Sequence, residues 1–357
     1  MTHNGSPSIA IAGGGLMGRL LAWRLSRRGL NISLFEAGSL AAPTGACWTA
    51  AGMISPLSEL VHSERQIYEL GLHSLALWES WASQLEAQVG CPVSFRRAGS
   101  IVVAHGRDRA ELQMFERELQ SKLASASAAD IQSLDRAGLL GLEPALGTFE
   151  GGIFLRDEGD IDNRRLLPAL LEALRLQRVT LHEDSPVVCE KHTITGREAA
   201  QRFDCVIDCR GLGAKDAIDG LRGVRGEVLV VETSEVQLHR PVRLLHPRYQ
   251  LYAVPRSGAR TVIGATEIDS DDLSPISVRS IMELSSALYS LHPAFAEARI
   301  VETRVNCRPA TMDNLPRLLS EPGLVRVNGL YRHGYLLAPA LLEQVEKIIA
   351  DQLSEVA

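Results

Sequence analysis

A βαβ unit at the N-terminus constrains the fold more strongly than any other part of this sequence. SIAIA predicts a strand, LMGRLLAWRLSRRG predicts a helix with apolar residues at helical spacing, and NISLFE predicts a second strand. A glycine turn joins the first strand to the helix. This order within roughly thirty residues is typical of the nucleotide-binding half of a doubly wound parallel sheet. The sequence therefore predicts an α/β protein with a Rossmann-type domain.

The glycines of this turn match the G-x-G-x-x-G pattern of dinucleotide-binding proteins. Gly13 permits the tight turn, Gly15 allows a pyrophosphate to approach the backbone, and Gly18 lets the helix pack on the strand. Glu36 ends the second strand, where its carboxylate can accept hydrogen bonds from the hydroxyl groups of an adenosine ribose. An acid at this position disfavours NADP, but it does not separate NAD from FAD.

The stretch that follows, AAPTGACWTAAGMISP, is rich in small residues. Small residues allow close approach of the backbone to a ligand. A loop that merely crosses the top of the sheet would have the same composition, so both interpretations stay open at this point.

The C-terminal segment GLYRHGYLLAP, residues 329–339, joins a predicted strand, VRVNGLYR, to a predicted helix, APALLEQVEKIIADQL. The first turn of a helix presents free backbone N–H groups and a partial positive charge. We therefore expect an anion, or a group that becomes anionic, at this junction. The alternative for Arg332 and His333 is a solvated loop tip.

Composition excludes several functional classes. The 357 residues are 45% hydrophobic, with a net charge of -6 and a pI near 6.0, which indicates a globular protein without the basic surface that nucleic acid requires. No apolar run has membrane-spanning length and no secretory signal is recognisable, so we expect a cytoplasmic protein with reduced thiols. Cys205 and Cys209 are interpreted as core residues, and we expect no metal site.

Eight motifs, taken in order, resemble the D-amino-acid oxidase family of FAD-dependent enzymes, and within it the glycine oxidases that are associated with thiamine-thiazole synthesis. The likeness extends from Ser8 to about Leu353. Its Rossmann portion is generic, whereas the last three motifs are more specific. The motifs are GGGLMGRLLAWRL, TAAGMISP, GDIDNRRLLPALL, FDCVIDCRGLGA, VRGEVLVVE, LYAVPRSGARTVIGATE, NCRPATMDNLPRL and GLYRHGYLLAPAL.

The resemblance implies FAD as cofactor and assigns its contacts. The pyrophosphate would lie on Gly13, Gly15, Leu16, Met17 and Gly18, and the ribose at Glu36 and Ala37. The ribityl chain would pass Ala46, Cys47, Ala51, Gly52 and Met53, and Val187 would lie on the adenine side. The loop under the flavin pyrimidine would consist of Leu330, Tyr331, Arg332, His333, Gly334, Tyr335 and Leu336. Negative charge that develops on the reduced ring would then meet the N–H groups of a helix N-terminus.

The resemblance also implies a substrate site. Arg308 would hold the carboxylate of the substrate as a fork, Tyr252 would add a hydroxyl donor, and Arg332 would lie close to the same group. From the residues alone, Arg308 could equally form an ion pair with Asp313 or Glu302, and Tyr252 could be a half-buried aromatic residue of a strand. Met53, Ser55 and Gln250 are candidates for the pocket wall.

The implied reaction is oxidative deamination of glycine or of a small amine, such as sarcosine or a small D-amino acid. Its products would be glyoxylate or another 2-oxo acid, ammonia and hydrogen peroxide, with molecular oxygen as acceptor. Positioning of the substrate and the electronic properties of the flavin are sufficient for hydride transfer, so no side chain is expected to act as a catalytic acid or base. Cys307 stands where related enzymes attach flavin covalently, but the residues that follow it favour noncovalent FAD. A homo-oligomer, commonly a homotetramer in this family, is also expected.

Three functional alternatives stay open. One is a dehydrogenase of the same fold that uses an acceptor other than oxygen. Another is the oxidoreductase module of a tRNA-modifying enzyme, and the third is a nucleotide-binding scaffold without catalysis.

The expected architecture has two domains. Residues 1–85, 140–215 and 300–357 are predicted to form the Rossmann-type FAD-binding domain. Residues 86–139 and 216–299 are predicted to form an α+β substrate-binding domain with a mostly antiparallel sheet.

Overall fold

The computed structural model of the chain describes residues 6–123, 131–197, 199–247 and 249–356. The strands are β1 Ser8–Ala12, β2 Asn31–Phe35, β3 Met53–Ile54, β4 Phe95–Arg96, β5 Ser100–Ala104, β6 Ile131–Asp135, β7 Gly151–Leu155, β8 Gly159–Ile161, β9 Thr180–His182, β10 Val188–Glu190, β11 Thr193–Thr195, β12 Ala200–Arg202, β13 Cys205–Asp208, β14 Arg222–Glu232, β15 Val242–His246, β16 Tyr249–Arg256, β17 Arg260–Gly264, β18 Ile268–Asp269, β19 Arg299–Ala310, β20 Arg317–Glu321 and β21 Leu324–Asn328. The helices are α1 Leu16–Ser26, α2 Ala46–Thr49, α3 Pro56–Leu60, α4 Arg65–Val89, α5 Arg109–Lys122, α6 Arg136–Leu142, α7 Asn163–Leu176, α8 Val278–Leu291 and α9 Gly334–Val356.

A six-stranded sheet contains the N-terminal βαβ unit. Its strand order is β20-β21-β13-β1-β2-β9, and all neighbours are parallel except β20 and β21. The predicted strand, turn, helix and second strand are therefore confirmed. Helices α1, α4, α7 and α9 cover one face of this sheet, and the small antiparallel sheet β10-β11-β12 covers the other. Burial on both faces explains why SIAIA and CVID are almost entirely apolar.

A nine-stranded, mostly antiparallel sheet forms the second layer of the molecule. Its order is β18-β14-β17-β16-β15-β5-β7-β6, with β19 paired to β14 and with β15 and β5 as its parallel pair. The face that packs on α8 is apolar, with Leu229, Leu251 and Ile263 from the strands and Leu284 and Leu288 from the helix. The predicted combination of a Rossmann-type domain with an α+β part is confirmed.

Two strands of the nine-stranded sheet come from ranges that were predicted to belong to the FAD-binding domain. β7 pairs with β5 and β6, and β19 pairs with β14 from Arg299 to Ala310. The domain boundaries themselves stay a prediction.

Across the described ranges, which leave out residues 1–5, 124–130, 198, 248 and 357, there is no helix long and apolar enough to span a membrane.

Candidate active site

A cavity of about 1360 Å³ lies between the two large sheets. Gly13, Glu36, Cys209 and Leu330 line it, and each follows a strand of the six-stranded sheet. The opposite wall comes from β14, β16 and β19. The carboxyl ends of parallel strands are the usual ligand side of a doubly wound sheet. The cavity exceeds the roughly 300 to 1,000 Å³ of typical small-molecule pockets, so it has room for a dinucleotide and a substrate.

The glycine turn is shaped for close approach of a ligand. Gly13 has φ +103°, and a β-carbon there would lie 2.5 Å from the carbonyl oxygen of Cys209. A β-carbon on Gly18 would lie 1.8 Å from the carbonyl oxygen of Gly13, so helix α1 packs on the turn as predicted. At Gly15 the only neighbour of an added β-carbon is the Cys47 sulfur at 3.8 Å. The open space at Gly15 faces the cavity, where a pyrophosphate fits.

Glu36 is fixed beside this turn. Its carboxylate accepts hydrogen bonds from the backbone N–H groups of Gly14 and Gly38, the latter at 3.2 Å. The side chain also lines the cavity. A carboxylate held in this way keeps free lone pairs for hydroxyl donors of a ligand.

The small-residue segment that includes α2 and the residues after it forms another wall. Ala46, Cys47, Ala51, Gly52 and Met53 all line the cavity. Gly52 has φ +63°, and an added β-carbon would lie 2.1 Å from the carbonyl oxygen of Ile161. This close backbone approach explains the glycine in the motif AAGM and favours the interpretation of the segment as a ligand-binding wall.

Two polar residues that sequence reasoning missed hold this wall in place. Arg256 donates to the carbonyl oxygen of Ala51 and to Asp160 Oδ1, the latter at 2.8 Å. Asn163 donates to the carbonyl oxygens of Cys47 and Trp48 at 3.1 and 2.8 Å. Asp160 and Asn163 belong to the motif GDIDNRR, and Arg256 belongs to the motif LYAVPR. Both motifs were recognised in the sequence, but the contacts that these three residues make were not predicted.

The junction at residues 329–336 has the predicted form. Strand β21 ends at Asn328, a short 3-10 turn covers Tyr331–His333, and α9 begins at Gly334. The predicted residues Leu330, Tyr331, Arg332, His333, Gly334, Tyr335 and Leu336 all line the cavity. Tyr335 donates its hydroxyl to the carbonyl oxygen of Cys47 at 2.8 Å, which ties the junction to the small-residue wall. The N-terminus of α9 therefore faces the cavity.

Arg308 carries a positive charge into this cavity without an acidic partner. Its guanidinium contacts only backbone carbonyl oxygens, those of Val224, Arg225 and Thr266, at 3.3 to 3.5 Å. Within the described ranges no carboxylate forms an ion pair with it. The alternative partners are occupied elsewhere, since Asp313 pairs with Arg317 and Glu302 pairs with Arg164. The alternative interpretation, an ion pair of Arg308 with either acid, is therefore wrong.

Tyr252 lies on strand β16 of the same nine-stranded sheet and lines the same cavity as Arg308. Burial raises the pKa of its hydroxyl, with Arg308 acting in the opposite direction, so the group is a protonated donor at neutral pH. In the part of the chain that the structure describes, its hydroxyl makes no hydrogen bond. A buried hydroxyl and an unneutralised guanidinium on one wall are suited to a carboxylate ligand.

Glycines make the room for both side chains. A β-carbon on Gly226 would lie 2.4 Å from Arg308 Nη2, and one on Gly264 would lie 2.5 Å from the Tyr252 hydroxyl oxygen. Gly264 is the direct cross-strand neighbour of Tyr252. Sequence reasoning missed these glycines, which occur in the motifs VRGEV and VIGATE.

Arg332 differs from Arg308 because acids already neutralise it. Its Nε donates to Glu59 Oε2 at 2.8 Å, and its Nη1 lies 3.4 Å from Glu267 Oε2. Burial raises the pKa of Glu59, but Arg332 and the neighbouring His333 and Arg243 outweigh burial and hold it at about 2. Glu59 is therefore a buried carboxylate at neutral pH.

His333 lies beside Glu59 and is 2% exposed. Burial lowers its pKa to about 4, although Glu59, 3.5 Å from its Nδ1, acts in the opposite direction. The imidazole is therefore neutral at pH 7.

Residues 8–344 match the DAO family, described as FAD dependent oxidoreductase. The chain belongs to this family of FAD-dependent oxidoreductases. FAD is therefore its cofactor, and the glycine cradle at Gly13 and Gly15, the Glu36 carboxylate and the helix end at Gly334 fit that cofactor.

Relatives cover nearly the whole chain. A Rhizobium etli protein with the provisional name thiamine biosynthesis oxidoreductase ThiO is 42% identical over 341 residues, 95% of each chain. Glycine oxidase of Geobacillus kaustophilus is 28% identical and covers 95% of this chain and 91% of its own length. The crystal structure of glycine oxidase from Geobacillus kaustophilus superposes with a TM-score of 0.84 at 26% identity, covering 97% of this chain and 95% of that one.

Three of the predicted FAD contacts lie outside the cavity lining of this family member. Gly18 lies behind the glycine turn and Ala37 is exposed. Val187 is half-buried, and its carbonyl oxygen accepts a hydrogen bond at 3.0 Å from Arg210, which itself lines the cavity. Of the pocket-wall candidates, Met53 and Ser55 line the cavity, and the side chain of Gln250 lies outside the described residues.

Cys307 is buried next to Arg308. Its sulfur lies 3.4 Å from the carbonyl oxygen of Ser270 and 3.6 Å from that of Asp272, and burial raises the pKa of the thiol. Consecutive side chains of a strand point to opposite faces, so a side chain at position 307 points away from that of Arg308.

Proposed function

We propose that this FAD-dependent enzyme oxidises glycine and small amines such as sarcosine and small D-amino acids. The observation that carries the proposal is the unpaired guanidinium of Arg308, which lies near the Tyr252 hydroxyl on the wall of the FAD cavity. A small amino acid offers a carboxylate to this pair and an amine-bearing carbon to the cofactor. The similarity to a thiamine biosynthesis oxidoreductase and to glycine oxidase supports the same substrate class.

In this proposal the protein contributes binding, orientation and exclusion of water. The Arg308 fork and the Tyr252 hydroxyl fix the carboxylate, which places the α-carbon in the cavity. FAD, when bound, would supply the chemistry of hydride acceptance from the α-carbon and of electron transfer to oxygen. The net reaction is glycine, water and oxygen to glyoxylate, ammonia and hydrogen peroxide. No side chain is assigned as an acid or base, and His333, whose pKa is about 4, would stay neutral.

We propose that Gly13, Gly15, Leu16 and Met17 bind the pyrophosphate, and that the N-terminus of α9 faces the flavin pyrimidine. In that position the free N–H groups of the first helical turn would stabilise negative charge on the reduced ring. FAD would be noncovalent, because the buried Cys307 sulfur lies against backbone carbonyls of residues 270 and 272. By similarity to the Rhizobium etli relative, the oxidised amine would serve thiamine biosynthesis.

The role of Arg332 in holding the substrate carboxylate stays a prediction. Its guanidinium is bound by Glu59 and Glu267, so we propose that it contributes less to substrate affinity than Arg308 does.

A product assay tests the function. The purified holoenzyme is supplied with glycine in air, and glyoxylate, ammonia and hydrogen peroxide are each quantified over time. The proposal expects the three products in equal amounts, and it expects methylamine, which lacks a carboxylate, to be a much poorer substrate. Glyoxylate and ammonia without peroxide would indicate a dehydrogenase with another acceptor. No glyoxylate at saturating glycine would contradict the substrate assignment.

A further inference from the structure

Arg19 is a fully buried arginine behind the glycine turn, and it is 1% exposed. It lies on the first turn of α1. Its Nε donates to the carbonyl oxygen of Gly14 at 2.7 Å, and its two Nη groups donate to the carbonyl oxygens of Leu167 and Leu40 at 2.8 and 2.6 Å. The guanidinium thus connects the glycine turn to α7 and to the loop after β2.

This buried cation has no acidic partner. Within the described residues no carboxylate forms an ion pair with Arg19, and the Glu36 carboxylate is bound to backbone N–H groups instead. Burial lowers the pKa of Arg19, with Cys47 and Glu36 acting in the opposite direction. A guanidinium nevertheless stays protonated at neutral pH. A buried charge without a counter-charge is unfavourable, so a bound anion is expected to complete the arrangement.

The glycine turn that Arg19 contacts borders the cofactor cavity. Gly14 is flanked by Gly13 and Gly15, and both of them line the cavity. Glu36, whose carboxylate raises the pKa of Arg19, lines it as well. The guanidinium is therefore connected to the wall of the cavity through its hydrogen bond to the glycine turn.

The hydrogen bond to Gly14 also sets the direction of a donor. In a trans peptide the C=O and the N–H of one peptide plane point in opposite directions. Because the Gly14 carbonyl group points towards Arg19, the N–H of Gly15 points away from Arg19, and Gly15 lines the cavity. That N–H has no partner among the described residues.

We propose that Arg19 is a positioning residue for the pyrophosphate of FAD. Its charge balances the phosphates through the thin glycine turn, and its hydrogen bond to Gly14 aims the Gly15 N–H at them. The effect adds a full charge to the partial charge of the α1 N-terminus. The proposal rests on FAD as cofactor and not on the identity of the amine.

Competition binding to the apoprotein tests the proposal without any substrate. FAD binding is followed by fluorescence, and ADP and adenosine serve as competitors that share the nucleoside but differ in the pyrophosphate. For Arg19→Met we expect the inhibition constant of ADP to rise roughly 10- to 100-fold, while that of adenosine changes by less than about threefold. Arg19→Lys keeps the charge, and it should retain most of the preference for ADP over adenosine.

Arg24→Met is the matched control. Arg24 lies on the same helix, and it pairs with Glu346 at 3.2 Å, away from the turn. Its loss changes the net charge equally and should leave both inhibition constants within about threefold of the wild type.

The outcomes distinguish an effect of the Arg19 charge on pyrophosphate binding from a purely structural role of Arg19 in the glycine turn. If Arg19→Met weakens ADP and adenosine equally, Arg19 merely supports the fold of the turn and the proposal is overturned. Unchanged binding of both competitors overturns it as well. If Arg19→Met fails to give the wild-type circular dichroism spectrum, Arg19→Lys decides, because an equal loss of both competitors in that variant contradicts the role of the charge.

Discussion

Gly226 lies so close to Arg308 that an added β-carbon would be 2.4 Å from the arginine Nη2. The two residues lie on paired antiparallel strands, β14 and β19. The absence of a side chain at position 226 therefore gives the guanidinium its place at the cavity wall.

Replacement of this glycine tests the relationship. In Gly226→Ala the methyl group must displace the guanidinium, so the KM for glycine should rise about tenfold or more, with FAD binding unchanged. Steady-state peroxide formation and FAD titration measure the two quantities. Gly141→Ala is the control, because an added β-carbon there meets nothing within 4 Å. An unchanged KM in Gly226→Ala would show that Arg308 does not hold the substrate.

Arg308 and Arg332 should differ in their effects. Loss of one charge-assisted hydrogen bond costs about 1.5 to 3 kcal/mol, so Arg308→Met should raise the KM for glycine roughly 10- to 150-fold. Arg332→Met should raise it less than about fivefold, because Glu59 and Glu267 already neutralise that guanidinium. Side-by-side kinetics of the two variants decide the point. Equal losses would contradict the smaller contribution that is proposed here for Arg332.

Substitutions at Gly15 and Gly18 should have different effects, one on FAD binding and the other on the stability of the apoprotein. An added β-carbon at Gly18 would lie 1.8 Å from the Gly13 carbonyl oxygen, so Gly18→Ala should destabilise the apoprotein by about 1 to 3 kcal/mol. At Gly15 there is space, so Gly15→Ala should fold with a loss below about 1 kcal/mol but bind FAD much more weakly. Urea unfolding and FAD titration of both variants check this. Wild-type FAD affinity in Gly15→Ala would place the pyrophosphate elsewhere.

His333 should make the stability of the fold sensitive to pH. Its folded-state pKa of about 4 lies below the ordinary 6.5, so the unfolded chain binds more protons between these values. Its contribution is complete above pH 6.5 and is lost as the pH falls towards 4. Between pH 7 and 5 the loss amounts to about 2 kcal/mol.

Comparison of the wild type with His333→Gln isolates the contribution of His333 to the pH dependence of unfolding, because His62, His105 and His182, whose pKa values are also lowered, are present in both proteins. The variant should lose about 2 kcal/mol less between pH 7 and 5 in urea unfolding of the apoprotein. The same pH dependence in both proteins would mean that His333 accepts a proton as readily in the folded state as in the unfolded one. The contribution of Glu59, whose folded-state pKa of about 2 lies below the ordinary 4.5, is complete above pH 4.5 and is lost only below that pH, so it does not change within this window.

The parts that could be predicted from the sequence are those with a local signal. Strand SIAIA, the glycine turn and helix α1 follow from periodicity and turn chemistry within a short segment. The junction before α9 was recognisable for the same reason. The positions of Tyr252 and Arg308 came from the resemblance to a family, because an isolated strand tyrosine or arginine carries no signal of its own.

The remainder depends on contacts between distant segments. Glu59 and Arg332 are 273 residues apart, and neither sequence context indicates that they pair. The pairing of strand Arg299–Ala310 with β14 in the nine-stranded sheet cannot be inferred from one sequence. The roles of Gly226 and Arg19 depend on their contacts with Arg308 and Gly14, and these contacts form only in the folded chain.

The most direct test of the central claim is an anaerobic titration of the purified holoenzyme with glycine, followed by its visible absorbance. The account predicts yellow flavin bands that bleach with glycine and return when air is admitted. It also predicts that Arg308→Met retains the bands but needs far more glycine to bleach them. Flavin bands that glycine leaves unchanged in the wild-type protein would contradict the amine oxidase assignment, while the fold and the cofactor would stand.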